Sequence, residues 1–454
     1  MTTLWAAQAL TPAGWRENVR VDLGDDGRIA AVAADAQPAG HRVGILLPAP
    51  VNLHSHAFQR AMAGMTEQRG EDPSDTFWTW RRLMFRFLDR LDPDDVEAIA
   101  AFVQMEMLEA GYAAVGEFHY LHHRPGGAPY DDLAEMSGRI AAAAADTGIG
   151  LTLLPVLYEH GGCDGRPLGP GQVRFGNDPD RFQRLFEAAR LALGPLPGDA
   201  RIGVAPHSLR AVSREGLAFA AALEPGAPLH MHLAEQVAEV EEVRAAWGMR
   251  PVEWLLANHD VDSRWCLVHA TQMEPREAEA LARSGAVVGL CPITESSLGD
   301  GIFDARRFLA HGGRFGIGSD SNIRISLAEE LRTLEYSQRL RDRVRAAVAT
   351  PDKSTGRVLF ETAARGGAQA AGRDGGAIEA GRIADLVALD ADATDLLDKD
   401  GDAVLDSYIF AGDDRMVADV WSAGRHVVTA GRHRRHDEIA ARYRKTVLSL
   451  EERI

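Results

Sequence analysis

Two histidines one residue apart, His54 and His56 in "VNLHSHAFQR", follow an apolar run. In an extended strand, whose side chains alternate, both imidazoles point to one side. Joined there by another histidine and a carboxylate, they give nitrogen and oxygen donors suited to zinc or a similar divalent ion. Alone, an HxH pair is better explained as solvated loop histidines, so the reading rests on partners elsewhere. These exist: Glu117 and His119, His207, His232 and Glu235, His269, and Asp320 each stand at the end of a short apolar run.

Local context separates these candidates. In "LHMHLAEQ", His230 and His232 point the same way along a strand. His232 is taken as the ligand because Glu235 follows three residues later, past the strand end and within reach of a metal-bound water. His230 reads as a buried or supporting residue, and His122 and His123 in "FHYLHHRPGG" read as an ordinary polar loop. Asp320 in "GIGSDSN" sits at a tight strand-to-loop turn. An Asx-turn or an N-cap for "SLAEELRTLEYSQRL" explains it equally well in isolation. Beside the histidines it becomes a metal ligand and proton acceptor.

Residues so far apart converge only if the fold brings strand ends together. Eight strand-like runs lie between 48 and 370: the one ending at His54, then "YAAVGEFHY", "IGLTLLPVLY", "RIGVAPHS", "PLHMHLAE", "RWCLVHAT", "AVVGLCPIT" and "RFGIGSDSN". Helical segments alternate with them; one begins at Asp92 as N-cap, with Pro93 in its first turn, and stops at Gly111. This predicts an α/β fold, a TIM-like (β/α)8 barrel over 48–370 whose strand C-terminal ends share one face. Residues 1–47 and 371–454 carry β-rich runs such as "VRVDLGDDGRIAAVAAD", "GRIADLVALD" and "MVADVWSAGRHVVTAGR", which predict one small discontinuous β-sandwich domain built from both termini.

The bulk properties narrow the partners. A chain of 454 residues exceeds what one core usually supports, and 46% hydrophobic residues can fill a large one. A formal charge of -17 argues against nucleic acid and anionic membrane surfaces, so an anionic ligand must meet local arginines. Cys163, Cys266 and Cys291 are odd in number and far apart, which fits a reducing compartment. With no signal-like segment and no apolar run of about 18 residues, a soluble cytoplasmic protein is expected.

The order HxH, His, His, Asp at 54/56, 232, 269 and 320, with the late segment "IEAGRIADLVALD", resembles the amidohydrolase superfamily. That resemblance implies ligands from barrel strands one, five, six and eight. Its binuclear members bridge two metals with a carboxylated lysine on strand four, but no lysine precedes Lys353. The implied form is therefore a single divalent metal, zinc, on His54, His56, His232 and Asp320, with Glu235 and His269 beside the water. The strings "NLHSHAFQRAMAG", "FWTWR", "PHSLRAVS", "HLAEQ" and "CPITESSLGDG" are similar to those of the branch that deiminates N-formimino-L-glutamate in histidine degradation. By resemblance, Gln59, Arg81, Tyr120, His207 and Arg210 bind substrate and the enzyme is a homodimer. Pro48-Ala49-Pro50 departs from the family's habit of a glycine after proline, without touching a site residue.

Physical chemistry supports the arginines independently, since planar guanidinium forks bind carboxylates bidentately and a glutamate moiety carries two. Rival readings are another mononuclear deaminase, acting on guanine, another purine or a triazine, and a non-catalytic barrel with a structural metal. An aromatic ring calls for stacking and amide partners instead of two arginines. A structural site is closed by four protein ligands and has no use for Glu235 and His269 beside it.

Overall fold

A computed structural model describes residues 2–67 and 77–453. All eight anticipated runs form barrel strands: Val51–Ser55, Ala114–His119, Gly150–Leu157, a broken fourth made of Arg201–Ile202 and Ala205–Pro206, then Leu229–Leu233, Trp265–His269, Val287–Leu290 and Arg314–Ile317. Neighbouring strands are parallel, and the eighth lies beside the first through Ile317 and Asn52. The remaining seam, between the fourth and fifth, closes where His230 N–H donates to Val204 O at 3.0 Å and His232 N–H to His207 O at 2.9 Å. Buried on both faces, these strands read as near-continuous apolar runs.

The helix Pro93–Glu109 begins as predicted. The Asp92 side chain accepts from Asp95 N–H and the Asp95 side chain from Asp92 N–H, so each satisfies an end of the other. Gly111, with φ 95°, ends the segment in a conformation that costs other residues strain. At the site itself, Gly318 lets the eighth strand close on the first: a Cβ there would come within 2.7 Å of His54 O.

Strands from Thr2–Thr11 through His41–Pro48, together with Leu386–Leu389, Val417–Ser422, Arg425–Thr429 and Arg432–His433, make one eight-stranded sheet. The sheet turns back on itself. Ile29, at the start of an edge strand, donates to Arg382 O at 2.8 Å and accepts from Gly381 N–H at 2.7 Å, on the approach to Leu386–Leu389. Leu4, Val21, Val43, Leu386 and Trp421 fill the core enclosed this way, so the two layers of the expected sandwich belong to a single sheet.

Residues 371–454 also hold two helices that the strand-rich reading of that stretch lacks. Asp402–Phe410 packs on Leu327–Asp342 and Thr355–Ala370, and His436–Glu451 packs on Pro93–Glu109, with Tyr443 stacked on Phe102 at 4.0 Å. The buried Arg373 joins sheet to barrel: it donates to Asp385 at 2.9 Å and to Asp199 at 3.2 Å, while Arg425 reaches Asp199 at 2.7 Å. Among the described residues, no helix is long and apolar enough to cross a membrane.

Candidate active site

The strand ends gather, but the tightest set differs from the expected ligands: His269 belongs to it and His56 does not. Donor atoms of His54, His232, His269 and Asp320 all lie within 4.8 Å of one another. His54 Nε2 is 3.2 Å from His232 Nε2 and 3.4 Å from Asp320 Oδ1, and His56 Nε2 is 3.3 Å from the same oxygen. Glu235 Oε1 stands 3.8 Å from His269 Nε2, and His269 Nε2 stands 3.8 Å from Asp320 Oδ2.

The fifth, sixth and eighth strand ends turn sharply to aim their side chains. His269 and Asp320 have φ of 71° and 47°, and Ala234 and Ala270, beside Glu235 and His269, have 52° and 51°. Non-glycine residues occupy this left-handed region at a cost of about 1–3 kcal/mol each, which the surrounding packing must offset. Behind the first strand, Glu117 accepts from Ala57 N–H at 2.7 Å and so fixes the turn that follows His56. Burial pushes the Glu117 carboxyl up to about 8.

The ring orientations fit a cation. His56 Nδ1 contacts Phe118 O at 2.9 Å, His232 Nδ1 contacts His207 O at 3.2 Å, and His269 Nδ1 contacts Glu295 Oε1 at 3.2 Å. With Nδ1–H directed outward to a carbonyl, His56 and His232 turn Nε2 lone pairs toward the cluster, the arrangement that metal-ligating imidazoles adopt, while His54 Nδ1 has no partner among the described residues. Burial lowers His54 to about 3 and also lowers His56 and His232, which favours their neutral, ligating forms. Asp320 is held below the usual carboxylate range, because His54 and the neighbouring His269 and His56 outweigh its burial. Burial opposes charge on His269 too, but Glu235, Glu295 and Asp320 prevail and raise it. Glu235 is raised by burial against the pull of His269 and Arg210.

This cluster floors a cavity at the strand ends. Gln59, Arg81, Tyr120, His207 and Arg210, the five residues expected to bind substrate, all line it. Gln59 Nε2 donates to Tyr120 Oη at 2.9 Å, and Arg210 NH2 is 3.9 Å from Glu235 Oε2.

Other positions differ from expectation. His122 and His123 are no polar loop: they are 1% and 0% exposed, with Nε2 atoms bonded to Val156 O at 3.0 Å and Gly176 O at 2.9 Å. Their carbonyl partners lie on segments distant in sequence, so local polarity misled. His119 is also buried, and among the described residues its Nε2 has no partner. His230 is buried as read, with Nε2 at 2.7 Å from Ala370 O. The N-cap of Leu327–Asp342 is Ser326, which frees Asp320 from that role. Sequence reading passed over Glu295, which also accepts from Cys291 N–H at 2.8 Å, and over the cavity residues Tyr158 and Phe175. Glu295 stands inside "CPITESSLGDG", whose spacing alone says nothing about a contact with His269.

With the geometry established, comparison with known proteins defines the class. Residues 45–427 match the model of the amidohydrolase family, and the chain belongs to that family. Residues 1–42 match the model described as formimidoylglutamate deiminase HutF, N-terminal domain. The chain is 51% identical to the formimidoylglutamate deiminase of Pseudomonas aeruginosa over 95% of its own length and 96% of the relative's. A crystal structure of an amidohydrolase from Brucella melitensis superposes with a TM-score of 0.95 at 48% identity, covering 99% of this chain and 100% of that one. An adenosine deaminase from Xanthomonas campestris, solved with bound zinc, shares the fold at a TM-score of 0.82 and 21% identity, over 99% and 98% of the two chains.

Proposed function

We propose that this protein hydrolyses N-formimino-L-glutamate to N-formyl-L-glutamate and ammonia, in the degradation of histidine. One observation carries the reading: a buried cluster of imidazoles and carboxylates floors a cavity whose lining includes both Arg81 and Arg210. The 51% identity to a formimidoylglutamate deiminase supports it.

A single divalent ion, zinc, would be held by His54, His56, His232 and Asp320; bound there it supplies the Lewis acidity that makes water nucleophilic near neutral pH. Arg81 and Arg210 orient the two substrate carboxylates, with Gln59, Tyr120 and His207 completing the wall. The formimino group is an amidine, protonated at neutral pH, so its carbon is electrophilic before any catalyst acts. Water adds to that carbon, and its proton passes to Asp320, steadied by His269. Glu235, whose raised proton affinity follows from its burial, delivers a proton to the amino group; as the C–N bond breaks and ammonia leaves, the hydroxyl proton of the adduct returns to Glu235 and the formyl carbonyl forms. Each such transfer contributes about 10²- to 10⁴-fold. We also place the enzyme in the cytoplasm, on its cysteine usage and lack of a signal-like segment, take it as a homodimer on family resemblance, and assign 48–370 to the catalytic barrel.

A coupled ammonia assay on metal-replete protein tests the reading, with N-formimino-L-glutamate and guanine as parallel substrates. Ammonia from the first alone is expected. Release from guanine alone points to a purine deaminase, and no release from any substrate of this superfamily supports the non-catalytic barrel; each result overturns the proposal.

A further inference from the structure

Tyr158 stands at the end of the third barrel strand, 2% exposed, with its ring packed against His207 and Phe175 at centroid distances of 4.5 and 5.6 Å. Its hydroxyl receives two hydrogen bonds. Arg81 NH2 donates to it at 2.8 Å, and a guanidinium can only donate. Gln172 Nε2 donates to it at 2.8 Å. The Gln172 amide cannot be turned the other way without loss, because Gly169 N–H donates to its Oε1 at 2.9 Å.

A phenol oxygen has two acceptor positions and one proton. Both acceptor positions are occupied, so the O–H bond must point away from Arg81 and Gln172. Among the described residues it meets no acceptor, although Tyr158 lines the same cavity as Arg81, His207 and Arg210. A buried donor without a partner costs about 1–3 kcal/mol, which a ligand oxygen would recover.

We propose that Tyr158 is a carboxylate-binding residue: its hydroxyl donates to the same carboxylate of a dicarboxylate ligand that Arg81 holds, and Gln172 sets the direction of that donation. This deepens the functional reading above and rests on it for the identity of the substrate. The site is thereby selective for a charged carboxylate over a carboxamide, since a carboxamide turned to accept from Tyr158 would bring its N–H groups toward the Arg81 donors.

Tyr158→Phe removes the hydroxyl and keeps the ring. Its binding of glutarate, measured by calorimetry on the metal-loaded protein, should weaken at least about tenfold relative to wild type, the loss of one charge-assisted hydrogen bond. On N-formimino-L-glutamate most of the loss should fall on KM, with the melting temperature held within a few degrees. Arg81→Met combined with Tyr158→Phe should lose less than the product of the single losses, because both act on one carboxylate. Equal glutarate binding by wild type and Tyr158→Phe overturns the assignment, as does a wild type that binds no glutarate. A wild type that binds glutarate through Tyr158 but releases no ammonia from formiminoglutamate sinks only the functional reading.

Discussion

His54 Nε2 and His232 Nε2 face each other across 3.2 Å, although they come from the first and fifth strands of the barrel. Two imidazole nitrogens hold that separation only with a proton or a cation shared between them. His232→Ala should therefore remove the metal after dialysis, with loss of activity, as measured by atomic emission. His230→Gln, two residues away and directed at Ala370, should retain it. Metal kept by His232→Ala would place the cation elsewhere.

Glu235→Gln should lose at least about 10²-fold in kcat while its metal content matches wild type, because the amide cannot carry the transferred proton. Turnover close to wild type would exclude Glu235 from proton delivery.

Glu295 contacts His269 Nδ1 at 3.2 Å, which in the proposed mechanism puts it one contact behind the reacting atoms. Loss of such a supporting carboxylate typically costs about 10- to 100-fold in activity or metal affinity. Glu295→Gln should show a loss in that range in steady-state kinetics.

Arg210→Met should raise KM or depress kcat/KM by about 2–5 kcal/mol in transition-state stabilisation, as expected for removing one partner of a buried charged pair. Unchanged kinetics would locate the substrate carboxylates away from this arginine.

The Arg373 link between sheet and barrel predicts a pH dependence of stability. Although burial works to raise Asp199, Arg425 and Arg373 prevail and depress its proton affinity in the folded state. Its contribution is therefore fully present above the ordinary aspartate value of about 3.9 and declines as pH falls below it toward the folded-state value. Asp199→Asn should melt earlier at neutral pH and show a flatter acid limb between about pH 4 and 2 in thermal scans. Arg373→Met should cost about 3–5 kcal/mol at neutral pH, because it strands the Asp385 charge in the interior.

Much of this was legible in the sequence because the barrel turns a one-dimensional pattern into a place. A polar residue ending an apolar run, as at His54, His207, His232, His269 and Asp320, is carried by that rule to one face of the molecule. What escaped depends on pairing between segments. Nothing near His122 or His123 says that Val156 and Gly176 supply their acceptors, and nothing near Tyr158 predicts two donors from residues 81 and 172. The rolled sheet was hidden likewise, since the bonds of Ile29 to Gly381 and Arg382 cross most of the chain.

The left-handed backbone at Ala234, His269, Ala270 and Asp320 bears on protein engineering. Grafting the same histidines and carboxylates onto the strands of an unrelated barrel would reproduce the alphabet of the site but leave the side chains splayed, because their convergence is written in the hinges beneath them. A successful transplant must carry the turns along with the ligands. A recipient that relaxes those turns should accept the residues, fold well, and catalyse nothing.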